Sequence, residues 1–137
     1  MDCEADKFVS KGLSREEIRG ALLSLPQALK GLVGECLVTA MYGVGCKLHG
    51  QLLYIPMSVS TQWLHKFVAD SVEQGIVVPG RSDICITTPE QGLKVLFCHE
   101  GDLHVGGRDD GLIARFISLE PFVACDFTEQ ENSAPTT

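Results

Sequence analysis

Apolar residues recur at helical spacing from Ser14 onward. The sequence Ser14-Arg15-Glu16-Glu17 has the form of a capping box, in which Ser14 accepts from the Glu17 backbone and the Glu17 carboxylate reaches back. A helix is therefore predicted to begin there. Pro26 is expected to end this helix or to open a following one, where its missing N–H costs little.

Residues 28–41 admit two interpretations. Their apolar positions repeat as one face of a helix, which is the interpretation we prefer. However, Gly31 and Gly34 weaken a helix, and residues 36–42 are also typical of a strand. The choice between helix and strand stays open for residues 36–42.

The second half predicts one long helix and one short helix. Ser58 or Ser60 can cap the long helix, whose buried stripe includes Trp63 and Leu64, and Gly75 suits the position just past its end. Asp109 or Asp110 can cap the short helix.

Alternating apolar and polar residues predict strands. Residues 83–88 and 93–98 flank the turn 89–92 and should pair as an antiparallel hairpin. Further strands are predicted at residues 51–57, 103–105 and 122–127.

Together these elements predict an α+β fold, with a mainly antiparallel sheet and two or three amphipathic helices packed on one face. The length suits one globular domain over residues 1–127. Residues 128–137 are polar and acidic, with Ala134 as their apolar exception, and are expected to form a disordered tail.

Charge narrows the choice of partner. The formal net charge is −7, and it lies in the second half, since residues 1–68 hold six acids and seven bases whereas residues 69–137 hold twelve acids and four bases. Such a balance argues against nucleic acid and membrane surfaces as partners, because both are bound by clustered Lys and Arg. It favours a basic protein partner.

The N-terminus and the cysteines indicate a cytoplasmic protein. The first six residues include three acids, where a secretory signal needs a basic start. The six cysteines contain no C-x-x-C pair, so we expect reduced thiols packed as small apolar side chains. No cofactor is expected.

Chemistry-bearing residues are densest between Cys98 and Asp110. His99 and His104 are candidate metal ligands, with Cys98 or Asp102 as a third donor and Cys46 and His49 as a remote second pair. Against this, the His-x4-His spacing is not a known zinc signature. Moreover, neighbouring strand residues point to opposite faces, so Cys98 and His99 are not expected to converge on one ion.

The same segment also suits a thiol enzyme. Cys98, His104 and Asp102 could act as nucleophile, base and orienting group. Six cysteines and four histidines allow many such combinations by chance, however. A buried inert thiol is the commoner case, and no catalytic residue is assigned.

The leading hypothesis for function is a small acidic protein-binding module, more an inhibitor than an enzyme. It would neutralise a basic partner such as a toxin or nuclease, as an immunity-type protein does. The residues expected to contact the partner are Asp83, Glu90, Glu100, Asp102, His104, Asp109 and Asp110. The alternative is a metal-dependent or thiol enzyme that uses residues 98–110.

A homo-oligomer is a further alternative. The apolar face that carries Leu29, Leu32 and Val33 could pack on its own sheet or on a second copy, and the periodicity is the same in both cases.

Overall fold

The computed structural model describes residues 7–43 and 55–130, which form three α-helices and a seven-stranded sheet. The helices are α1 (Arg15–Val33), α2 (Thr61–Glu73) and α3 (Asp110–Ile117). The strands are β1 (Phe8–Val9), β2 (Leu37–Gly43), β3 (Met57–Ser60), β4 (Asp83–Thr87), β5 (Lys94–Phe97), β6 (Leu103–Gly106) and β7 (Thr128–Glu129). All pairings are antiparallel, in the order β3-β2-β4-β5-β6-β1-β7, which confirms the predicted α+β fold.

One face of the sheet forms the core with the helices. The register aligns Ala40, Ile86, Val95 and Val105 in a buried row across four neighbouring strands. The helices bury a matching set of side chains: Ile18, Leu22, Leu25, Leu29, Leu64, Val68 and Phe116. Each buried Leu or Ile contributes about 1.5–3 kcal/mol, so this layer is a main source of stability.

The expectation that Pro26 ends a helix is wrong, because α1 continues through it to Val33. Pro26 lacks the N–H that would bond to the Leu22 carbonyl, at a cost of about 3 kcal/mol. Leu25 and Leu29, on either side of the proline, are fully buried, and their burial offsets that cost. The capping box at Ser14 is confirmed, with both of its hydrogen bonds present.

The preference for a helix over residues 36–42 is also wrong. Gly34 ends α1 with φ 72° and ψ −159°, which only glycine adopts readily. The chain then enters β2, where Val38 and Ala40 alternate onto the buried face. Leu29 is fully buried, and Leu32 and Val33 pack against the same core, so this face of α1 packs within its own chain.

The predicted cap of helix α2 is confirmed, but its predicted buried face is only partly correct. Ser60 caps it by accepting from the Gln62 N–H, and Gly75 follows its end with φ 76°. The buried stripe passes through Leu64 and Val68, whereas Trp63 is 60% exposed. Trp63 directly precedes Leu64 and is therefore turned about 100° around the helix, towards β3.

Two predicted strands differ from the structure. The strand expected at residues 51–57 shares only Met57 with β3, residues 55–56 are not in a strand, and residues 51–54 lie outside the described residues. Residues 122–127 contain a 3₁₀ turn instead, Phe122–Cys125, whose Phe122 ring lies 4.4 Å from that of Phe116. Part of the expected tail is ordered, because Thr128–Glu129 pairs with β1.

The remaining predicted elements are confirmed. β4 and β5 form the antiparallel hairpin, β6 follows as the third strand, and Asp109 caps α3 by accepting from the Leu112 N–H at 3.0 Å.

The cysteines differ in state. Cys36, Cys98 and Cys125 are thiols. Cys85 takes part in a disulfide, so the expectation of six reduced thiols is wrong for this residue. None of the helices in the described ranges has both the length and the apolar character needed to cross a membrane.

Gly107 joins β6 to α3 and should not tolerate a side chain. Its φ is 131°, and a Cβ would lie 2.2 Å from the Gly92 carbonyl oxygen. We expect Gly107→Ala to lower the free energy of unfolding by more than about 2 kcal/mol. In denaturant titrations, the control Gly20→Ala should stabilise by about 1 kcal/mol, since nothing lies within 4 Å of its Cβ. Equal effects of the two substitutions would contradict this account.

The capping box should make stability depend on pH. The Ser14 backbone N–H donates to the Glu17 carboxylate at 2.8 Å, and this bond holds the pKa of Glu17 below its usual range. The stabilisation is therefore complete above the usual Glu pKa and is lost as the pH falls through the lowered one. Glu17→Gln keeps an acceptor but cannot titrate, so its free energy of unfolding should fall less on acidification. Parallel acid profiles for the two proteins would contradict this prediction.

Candidate functional site

The turn between β5 and β6 gathers the candidate residues at one end of the sheet. The Cys98 N–H donates to the Asp102 carbonyl at 2.9 Å, and the Gly101 N–H donates to the Cys98 carbonyl at 3.0 Å. The turn is anchored from outside by Leu13, whose N–H donates to the Gly101 carbonyl at 2.8 Å. These bonds hold Cys98 and Asp102 opposite each other.

Strand alternation aims three of these side chains at the sheet face away from the helices. His104 pairs with Leu96 in the register, and both lie opposite to the buried face of Val95 and Val105. Cys98 follows Leu96 by two residues and Asp102 precedes His104 by two, so both share that face.

Asp83 and His99 form the first carboxylate–imidazole pair. Asp83 Oδ1 accepts from the His99 backbone N–H at 2.8 Å and lies 3.0 Å from His99 Nδ1. The same Nδ1 lies 3.7 Å from Cys98 Sγ. The expectation that Cys98 and His99 cannot converge is therefore wrong, because the two residues lie in a turn and not in a regular strand.

Asp102 and His104 form the second pair, which also lies close to the thiol. Asp102 Oδ1 lies 3.0 Å from His104 Nε2, and both side chains are partly exposed. His99 is also partly exposed, whereas Asp83 is only 2% exposed. The cluster therefore extends from the protein interior to the surface.

The two pairs share Cys98. One donor atom each from Asp83, Cys98 and His99 lie within 4.8 Å of one another, and the same holds for Cys98, Asp102 and His104. We call these five residues the Cys98 cluster. Oxygen, nitrogen and sulfur donors that converge in this way favour a cation among them.

The structure divides the residues predicted to contact a partner between two ends of the β5–β6 hairpin. Asp83, Asp102 and His104 belong to the Cys98 cluster, and Glu100 is exposed in the turn beside it. Asp83 has too little exposure to meet a partner directly. The partner contact predicted for all of these residues stays a prediction.

The other predicted contact residues lie at the opposite end. Glu90, Asp109 and Asp110 line one open groove together with Arg108. All four are exposed, and Asp110 also pairs with Lys7 at 2.9 Å. We call this site the acidic groove.

Sequence reasoning missed Asp83 as part of the histidine cluster. The predicted hairpin of residues 83–88 and 93–98 already placed Asp83 opposite Cys98, so its register contained the signal. Cys46 and His49, named as a remote second pair, lie outside the described residues.

Comparison with known proteins adds no family to this geometry. Neither a protein-family model, nor a curated protein, nor a solved structure matches the chain.

Proposed function

We propose that the chain binds a divalent transition-metal ion of the zinc class at Asp83, Cys98 and His99. The observation that carries this proposal is the convergence of their three donor atoms. In a tetrahedral zinc site, oxygen and nitrogen donors lie about 3.4 Å apart, and nitrogen and sulfur donors about 3.6 Å apart. The corresponding distances here are 3.0 Å and 3.7 Å.

This geometry favours a metal ion over a thiol relay through His99, which is a different relay from the combination of Cys98, His104 and Asp102 that the sequence left open. A thiol relay needs the nucleophile on one imidazole nitrogen and the orienting carboxylate on the other. Around His99, Cys98 Sγ and Asp83 Oδ1 both approach Nδ1. A sulfur and an oxygen atom beside the same imidazole nitrogen suit a cation bound by all three better than a proton relay through the imidazole.

The donor set also favours a catalytic role for the ion. Three ligands from the described residues would leave one tetrahedral position for water or substrate, as in catalytic zinc sites. His104, which pairs with Asp102 and lies close to Cys98, would supply a base for a water or substrate bound to the ion. Partial exposure of His99 and His104 gives solvent access to the site.

Metal titration of the purified apo chain tests the proposal. We expect one Co²⁺ per chain, with the absorption that marks a cobalt–thiolate bond. Cys98→Ser, His99→Gln and Asp83→Asn should each weaken affinity roughly tenfold or more, because each removes a ligand. Affinity should fall on acidification, since protons compete for the thiolate and imidazole.

Three further variants locate the ion. Cys36→Ser removes a thiol at the opposite end of the hairpin, and Glu100→Gln removes an exposed carboxylate from the same turn. Both should leave affinity unchanged, and His104→Gln should change it much less than His99→Gln. Binding that survives Cys98→Ser, or that depends on His104 but not on His99, would contradict the assignment.

The acidic groove supports a second candidate function, the inhibitor of a basic protein. We propose that Glu90 and Asp110 receive an Arg or Lys side chain of the partner. Three predicted contact residues, Glu90, Asp109 and Asp110, line one groove. Their charge is offset in part by Arg108 in the groove and by Lys7, which pairs with Asp110. Exposed carboxylates increase the rate at which a basic partner associates.

Binding of an Arg- and Lys-rich peptide tests this second function. Glu90→Lys should weaken binding by roughly threefold to tenfold, and added salt should weaken it further. Glu73→Lys makes the same charge change at another exposed site, on α2, and should have a smaller effect. Equal losses in the two variants would show attraction to net charge alone and would contradict a role for the groove.

A further inference from the structure

Among the described residues, β3 is an edge strand that lacks two of the usual protections against pairing. Within the described residues, only β2 pairs with it. Its sequence Met-Ser-Val-Ser contains no charge and no proline, two features by which natural proteins block an open edge. This edge is therefore competent to accept another strand.

Large apolar side chains surround this edge. Ile55 is 59% exposed, Trp63 60% and Leu37 63%, which makes them three of the six large exposed apolar residues among those described. A groove between β3 and α2 is lined by Met57, Val59, Trp63, Phe67, Lys66 and Asp70. Exposed apolar surface beside an open strand indicates an interaction surface.

The pairing with β2 determines which backbone groups face outward. The Thr61 N–H donates to the Cys36 carbonyl at 2.8 Å, so the hydrogen-bonded pairs of this ladder continue at Val59 and Met57. The alternate residues, Ser58 and Ser60, therefore direct their N–H groups towards the open edge.

These outward groups complement a second copy of themselves. An antiparallel two-fold pairing with Ser58 opposite Ser58 of the second copy forms two hydrogen bonds at the centre. The next hydrogen-bonded pair sets Ser60 opposite Pro56. Ser60 offers only its N–H, since its carbonyl begins α2, and Pro56 offers only its carbonyl. The N–H that Pro56 lacks would thus face the Ser60 carbonyl, which already accepts a hydrogen bond within α2.

We propose that two copies of this chain associate through β3, with Ser58 on the two-fold axis. The sheet then continues from one copy into the other. Met57 of each copy lies opposite Val59 of the other on the helix side, beside Trp63.

Charge supports a second copy as the occupant. Lys66 and Asp70 line the groove and pair with each other at 2.7 Å, so the surface is neutral in a chain of net charge −7. A neutral surface with one cation and one anion is self-complementary across a two-fold axis. A strongly basic partner would instead be drawn to the acidic second half.

Sedimentation of the full chain tests the proposal. The wild type should be a dimer that dissociates on dilution. Ser58→Pro should raise the dissociation constant roughly tenfold or more, because it removes an N–H that faces outward and takes no part in the pairing with β2. Trp63→Lys should have a similar effect without any change in the strand. Ile76→Lys alters a side chain of equal exposure, 60%, and should leave the dimer intact.

Amide hydrogen exchange identifies the surface. The Ser58 and Ser60 amides should be protected in the wild type and in Ile76→Lys, and should exchange faster in Trp63→Lys, whose fold is checked by circular dichroism. A wild type that stays monomeric at its highest soluble concentration would overturn the proposal. So would a dimer that is insensitive to both Ser58→Pro and Trp63→Lys, which would place the interface elsewhere.

Discussion

The closure of the β5–β6 turn is the constraint on which the candidate site depends. The hydrogen bond from the Cys98 N–H to the Asp102 carbonyl, 2.9 Å long, continues the ladder of the two strands to their very end. Because the ladder has a period of two residues, this one contact sets Cys98, Asp102 and His104 on the same face. The pairing of β4 with β5 then brings Asp83 opposite Cys98. Four of the five side chains of the Cys98 cluster thus meet through backbone register, and His99 joins them from the turn.

The sequence predicts the pairing of these strands correctly, but it does not predict how the side chains are directed where the strands pass into the turn. The hairpin, β6 and the caps at Ser14, Ser60 and Asp109 follow from local signals, and all of them are confirmed. The convergence of Cys98 and His99 could not be predicted from strand alternation, because alternation stops where the turn begins. Pro26 and residues 36–42 were misassigned for opposite reasons. At Gly34 the local signal against a helix was correct, and the helical periodicity of the apolar residues was misleading. At Pro26 the local cost is outweighed by the burial of Leu25 and Leu29, which depends on tertiary packing.

The distribution of charge gives the two ends of the hairpin different chemistry. At the acidic groove, Glu90, Asp109 and Asp110 are exposed, so water solvates their charge and salt weakens their attraction for a partner. In the Cys98 cluster, Asp83 is buried, and a buried carboxylate must be compensated by hydrogen bonds or a cation. His99 provides part of this compensation through its backbone N–H and ring. The acidic residues of the second half therefore form two different sites. The exposed acidic groove suits a basic partner, and the partly buried Cys98 cluster suits a bound ion.

The open edge of β3 is neutral, unlike the acidic second half of the chain. Self-association of a chain with net charge −7 is opposed by repulsion, which falls off over about 8–10 Å at physiological salt. An interface in the acidic second half would bring like charges within that distance. In the association proposed at β3, the neutral pair of Lys66 and Asp70 would meet its own copy instead. β2 and β4 separate this edge from the β5–β6 hairpin, so association there leaves both ends of the hairpin accessible. An acidic surface for other molecules and a neutral edge for a second copy are therefore compatible within one sheet.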